Sequence, residues 1–129
     1  MKNALTRPDQ APTVLVVEDD DDTRDSIREL LEERGYQVVA ASNGRDAHTY
    51  LRQSTPPACV LLDLWMPVMD GWALAAEMTR GHLPRVPLVV ITAAEPHWGY
   101  PAPHSRVVRK PLNPARILAV VAEAVRGNA

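Results

Sequence analysis

Short runs dominated by aliphatic and β-branched residues constrain this chain more than any other feature. They lie at residues 13–17 (TVLVV), 36–41 (YQVVAA), 58–62 (ACVLL) and 86–91 (VPLVVI), with a shorter pair at Val107-Val108. A strand that faces water on one side alternates apolar and polar residues; an unbroken apolar run needs cover on both faces, as in a parallel sheet. Stretches with helical spacing separate the runs. Ile27, Leu30 and Leu31 share one face, and Asp21 or Asp22 can cap that helix. Gly35 reads as its stop. Asn43-Gly44 opens a second helix with Ala47, Tyr50 and Leu51 inward, broken by Thr55-Pro56-Pro57. Trp72, Ala75, Ala76 and Met78 suit a third, ending near Gly81. Asn113 or Pro114 opens a last helix with Ile117, Leu118, Val121 and Val125 inward. Strand and helix in alternation predict an α/β fold with a parallel sheet between two helical layers. Residues 1–12 read as a polar leader, 13–126 as the domain and 127–129 as a tail.

In such a sheet, ligands bind beyond the carboxyl ends of the strands. Glu18 and Asp19 follow the first run, Asp63 the third, Thr92 the fourth and Lys110 the fifth. Three acids, a hydroxyl and a lysine, far apart in sequence, therefore converge on one rim. The charge distribution agrees. Residues 18–25 (EDDDDTRD) hold six of the 16 acids and one of the 14 bases, leaving 10 acids and 13 bases elsewhere. Acids also favour the first turn of a helix, so the knot alone does not specify a cation site. Taken with Asp63, it does suggest one.

Three close carboxylates repel one another, and a hard divalent cation with oxygen ligands relieves this; Mg²⁺ suits the set and leaves coordination positions for a phosphoryl group. An aspartate can attack phosphorus and form an aspartyl phosphate. Asp63, alone at the middle of the sheet, is the natural nucleophile. Thr92 offers a hydroxyl donor and Lys110 an ammonium to the phosphoryl oxygens.

The segments VLVVEDD, LLDLWMPVMDG, VVITA and VVRKP, in that order and spacing, resemble the receiver domain of bacterial two-component response regulators. The resemblance covers roughly residues 13–126. It implies a three-layer flavodoxin-like fold with a five-stranded parallel sheet of order 2-1-3-4-5. It implies phosphotransfer to Asp63 from a sensor histidine kinase or a histidine phosphotransfer protein, and output through an unknown downstream protein. By the same resemblance Asp19 and Asp63 ligate Mg²⁺ directly, Glu18 acts mostly through water, and the backbone carbonyl of Trp65 completes the protein ligands. Lys110-Pro111 resembles the family's cis peptide.

Two features depart from the family's pattern. Between Thr92 and Val107 stand Pro96, Gly99, Pro101 and Pro103. An interior proline costs a helix about 3 kcal/mol, so the family's fourth helix is expected to be missing or irregular. Val107 replaces the Tyr or Phe that often serves as a rotating switch. Both departures favour a second reading, a pseudo-receiver that is never phosphorylated and acts as a binding scaffold; the intact Glu18, Asp19, Asp63, Thr92 and Lys110 oppose it. A haloacid-dehalogenase-like phosphatase needs an acid two residues past its nucleophile, where this chain has Trp65. A Rossmann domain needs a Gly-rich loop after the first strand, which is lacking.

The remaining conspicuous residues read as follows. Trp65 either shields a phosphoryl group from water or is a rim aromatic. Trp72, Ala75 and Met78 belong to the core, and Cys59 is a small buried hydrophobe. His82, His97 and His104 share no ligand spacing. Trp98 and Tyr100 either dock a partner or cover the sheet. From residue 96 onward the only acid is Glu123, facing five bases, a solvated face or a surface for an acidic partner. A net charge of −2 excludes a nucleic-acid footprint over the whole domain, and a single cysteine excludes an internal disulfide framework. No run approaches the ~20 apolar residues of a membrane span, and no signal-peptide pattern opens the chain. A signalling domain in the cytoplasm, without membrane insertion or direct nucleic-acid binding, is expected; with few residues after the last helix, it is expected to act by binding a partner, by passing phosphate onward, or as a piece of a larger chain.

Overall fold

The computed structural model describes residues 11–53, 55–64, 71–81, 83, 85–93 and 106–127, apart from the side chains of Trp72 and Thr79. The elements run β1 (Thr13–Val17), α1 (Asp21–Glu33), β2 (Gln37–Ala41), α2 (Gly44–Gln53), β3 (Cys59–Asp63), α3 (Gly71–Thr79), β4 (Leu88–Thr92), β5 (Arg106–Arg109) and α4 (Pro114–Gly127). All strand pairs are parallel, and the sheet order is β2-β1-β3-β4-β5. This is the flavodoxin-like arrangement expected from the sequence.

Strand alternation divides the core in two. Leu15, Val17, Val60, Leu62 and Val90 pack with Ala47 and Leu51 of α2 and Leu74 and Ala75 of α3. Val14, Val16, Leu61, Val89 and Ile91 pack with Ile27 and Leu31 of α1 and Ile117, Val120, Val121 and Ala124 of α4. The continuous apolar runs follow from this: β1 to β4 each send side chains into both layers. Met78 packs against the first layer, as the spacing predicts. Val120 and Ala124 are buried where the sequence reading places Leu118 and Val125, which are only half-buried.

Several boundaries move for identifiable reasons. Asp20, not Asp21 or Asp22, caps α1. Its extended backbone (φ −77, ψ 120) frees the carboxylate to accept from the Thr23 N–H at 2.8 Å and the Thr23 hydroxyl at 2.7 Å, while Asp21 and Asp22 already lie in the first helical turn. β4 begins at Leu88 rather than Val86, because Pro87 has no N–H for the ladder; its carbonyl accepts from Val60 N–H at 2.9 Å. β3 extends one residue further than expected, so Asp63 belongs to the strand itself. Gly35, at φ 91, ends α1 as expected. Asn43 and Asn113 cap α2 and α4 by accepting from the N–H groups of Asp46 and Arg116. The expectation of a missing or irregular helix after Thr92, and the readings of Trp98, Tyr100, His97 and His104, concern residues 94–105, which lie outside the described residues; so do His82 and the Trp72 side chain. Among the described residues, no helix is long and apolar enough to cross a membrane.

Cys59 is fully buried in β3, and burial pushes its thiol up to about 12, against a smaller downward pull from Arg106. The native protein is therefore expected to resist thiol reagents such as DTNB near neutral pH, reacting at least about a thousandfold slower than the unfolded chain, because the thiolate fraction falls with the raised pKa. Stopped-flow labelling with and without denaturant checks this; rapid stoichiometric labelling of the native state would contradict the burial argument.

Candidate functional site

The register brings the rim residues together. Asp63 pairs with Ile91 across β3 and β4, and Thr92 pairs with Arg109 across β4 and β5. Glu18 follows β1 directly, and its N–H donates to Ala41 O at 3.0 Å, prolonging the β1–β2 ladder by one step. Carboxylate oxygens of Glu18, Asp19 and Asp63 lie within 4.8 Å of one another. Glu18 and Asp63 are each 2% exposed, Thr92 is fully buried, and Asp19 is exposed. The Lys110 ammonium lies 3.4 Å from Asp63 Oδ2. Its backbone N–H donates to Thr92 O at 2.9 Å, and the Lys110–Pro111 peptide is cis. Of the residues singled out from the sequence, Glu18, Asp19, Asp63 and Lys110 thus meet at one point, and Thr92 closes the adjoining strand. Trp65, whose carbonyl the family resemblance assigns to the metal, lies outside the described residues.

The electrostatics favour a further positive charge at this point. Glu18 Oε2 accepts from Asp20 N–H at 3.2 Å, but Oε1 is buried and, among the described residues, has no hydrogen-bond partner. Such an atom is costly unless something charged or polar meets it. Burial pushes the Glu18 carboxyl up to about 8; the Asp20 N–H opposes this, and Asp63 and Asp19 reinforce it. The Lys110 ammonium, 3.4 Å from Asp63, brings one positive charge to a cluster of three carboxylates. A divalent cation fits this donor set: oxygen ligands only, one buried and lacking a donor, one side open through the exposed Asp19.

Two site residues escape the sequence reading. Arg24 reaches back from α1, its Nη1 donating to Glu18 O at 3.0 Å; the spacing from Asp20 to Thr23 signals the cap, but nothing in the sequence signals where the arginine points. Gly71 opens α3 against the backbone of Asp63 and Leu64, its N–H donating to Leu64 O at 3.0 Å. It reads from sequence only as a turn residue. Val107 stands in β5 opposite Val90, half-buried.

Comparison with known proteins agrees with this fold. The sequence model of the response regulator receiver domain matches residues 14–122. The transcriptional regulatory protein SrrA of Staphylococcus aureus is 30% identical over 109 residues, covering 81% of this chain and 44% of that protein. The chain therefore spans less than half the length of the curated relatives it matches. The signal receiver domain of a signal transduction histidine kinase from Syntrophus aciditrophicus superposes with a TM-score of 0.80 at 27% identity, covering 91% of this chain and 92% of that one. A sensor protein from Polaromonas sp. JS666 shares the fold, with a TM-score of 0.81 at 22% identity over 92% of this chain and 98% of that one. The chain belongs to the response regulator receiver domain family, the signalling module of two-component systems.

Proposed function

We propose that this domain, residues 13–126, is a phosphoacceptor: Asp63 receives a phosphoryl group from a phosphohistidine of a sensor histidine kinase or histidine phosphotransfer protein. The observation that carries the reading is Asp63 itself, buried at the end of β3 with the Lys110 ammonium 3.4 Å from Oδ2 and two further carboxylates beside it. Phosphoryl transfer needs positioning and charge stabilisation more than covalent work from the protein. The Asp63 carboxylate oxygen forms the new P–O bond as the P–N bond to the donor histidine breaks. Lys110 stabilises the phosphoryl oxygens as a point charge, and the Thr92 hydroxyl donates to one of them. Glu18, Asp19, Asp63 and the Trp65 carbonyl would hold Mg²⁺, whose charge would offset the carboxylates and polarise a phosphoryl oxygen. The domain signals through a downstream protein that recognises the phosphorylated state; it is a signalling module in the cytoplasm, with no role in membrane insertion or direct nucleic-acid binding.

Intact-mass measurement after incubation with Mg²⁺ and acetyl phosphate tests this. One added phosphoryl group, lost completely in Asp63→Asn and in the presence of a chelator, is expected. No gain with acetyl phosphate or with a histidine phosphodonor would favour the scaffold reading instead, in which the rim carboxylates serve another end.

A further inference from the structure

Arg24 belongs to α1, one turn beyond the acidic cluster, yet its hydrogen bonds run back beneath that cluster. Its backbone N–H donates to Asp20 O at 2.9 Å. Its Nη1 donates to Glu18 O at 3.0 Å and, more weakly, to Asp19 O at 3.5 Å. One residue therefore gathers the carbonyls of three consecutive residues. These three carry the chain from the last ladder bond of the sheet, at Glu18 N–H, into the first turn of α1. Two of them, Glu18 and Asp19, contribute carboxylates to the cluster. The guanidinium is held in turn: Nη2 pairs with Asp21 Oδ1 at 2.5 Å, and the arginine side chain is 18% exposed while its partner's is 82% exposed. The Asp21 carboxylate thus faces solvent and ties the arginine down from outside.

We propose that Arg24 is a positioning residue for the cation site: it fixes the 18–20 turn so that the Glu18 and Asp19 carboxylates converge with Asp63, without itself touching the cation. The proposal rests on the reading of Glu18, Asp19 and Asp63 as a divalent-cation site. Its logic is that of metal centres generally, where groups that hold the ligands in place govern affinity nearly as much as the ligands do. A planar guanidinium suits the task because one nitrogen can serve the two carbonyls while the other is anchored; an ammonium offers a point charge without that fork.

Position and charge predict opposite signs here. As a cation close to a cation site, Arg24 repels Mg²⁺, so removing it would tighten binding if charge were its main effect. As the clamp on the turn, its removal loosens the ligands and weakens binding. The test is calorimetric titration of the full chain with MgCl₂, well below the unfolding midpoint, for wild type, Arg24→Ala, Arg24→Gln and Arg24→Lys, with thermal midpoints measured on the same samples. The expected result is Mg²⁺ affinity lower by about tenfold in Arg24→Ala, with part of the loss recovered in Arg24→Lys. Arg24→Gln, neutral but still a donor, carries the test if the alanine variant does not fold, and it too should bind more weakly than wild type. Unchanged or tighter binding in the neutral variants, whether or not the midpoint falls, overturns the positioning role while leaving the cation site standing. Failure of the wild type to bind Mg²⁺ overturns both.

Discussion

Gly71→Ala is expected to cost at least about 3 kcal/mol of stability and to lower the thermal midpoint by roughly 10 °C or more. A Cβ at this position would lie 2.2 Å from the carbonyl oxygen of Asp63, 2.4 Å from Leu64 Cα and 2.9 Å from the Asp63 carbonyl carbon. All three are backbone atoms, so no change of rotamer relieves the clash. The start of α3 and the end of β3 would have to separate. That separation breaks the Gly71 N–H to Leu64 O bond and moves the residue that carries the proposed phosphoacceptor. The variant should therefore lose phosphorylation and Mg²⁺ binding together with stability. The demand at Gly71 is for space and not for an unusual backbone, which separates it from Gly81. At Gly81 φ is +85, and a Cβ there would have nothing within 4 Å among the described residues, so alanine costs only the left-handed strain of about 1–2 kcal/mol. Thermal melts of the two variants side by side decide the matter: a Gly71→Ala midpoint as high as that of Gly81→Ala would defeat the steric argument.

The contrast between these glycines shows what the sequence can and cannot disclose. The sheet is legible because burial on both faces demands uninterrupted apolar runs, and Leu61 or Val89 can be nothing but interior. The rim is legible because parallel strands present their carboxyl ends together. Once the runs are placed, Glu18, Asp63, Thr92 and Lys110 must face one another, although 92 positions separate the first from the last. Contacts set by the path of the chain between elements stay hidden. Nothing in the pattern MPVMDG reveals that Gly71 returns to touch Asp63, nor in EDDDDTRD that Arg24 turns back towards Glu18 instead of into solvent. The acidic run also misleads about its own cap: the pattern points to Asp21 or Asp22, and the extended backbone at Asp20 makes that residue the cap instead. At the strand ends, one proline without an N–H moves the start of β4 by two residues.

Metal-free protein is expected to lose stability as pH rises, against the usual behaviour of carboxylates. Most acids that gain partners on folding have lowered pKa values, so their contribution is present at neutral pH and lost in acid. Asp20, whose carboxylate is held below its ordinary value by hydrogen bonds from Thr23, is of this kind, and its contribution is lost only as pH falls below about 3.8. Glu18 is the reverse. It titrates at 4.5 in the unfolded chain and at about 8 when folded, because burial penalises its charge. Below 4.5 it is protonated in both states and the folded state bears no penalty. As pH rises from 4.5 to 8 the unfolded chain releases a proton that the native state retains, and stability falls across that window by an amount on the order of a few kcal/mol. Mg²⁺ held at the proposed site would bind the ionised carboxylates of the native state, so it should displace this proton, stabilise the protein, and do so more strongly at pH 8 than at pH 6. Urea unfolding across this range, with saturating MgCl₂ and with EDTA, checks both slopes. Glu18→Gln, which has no proton to lose, should flatten the metal-free profile and shrink the Mg²⁺ effect. A metal-free wild type whose stability is level or rising across the window, or a Glu18→Gln variant that follows the wild-type slope, would mean that this buried oxygen carries its charge without help and that the cluster does not need a cation.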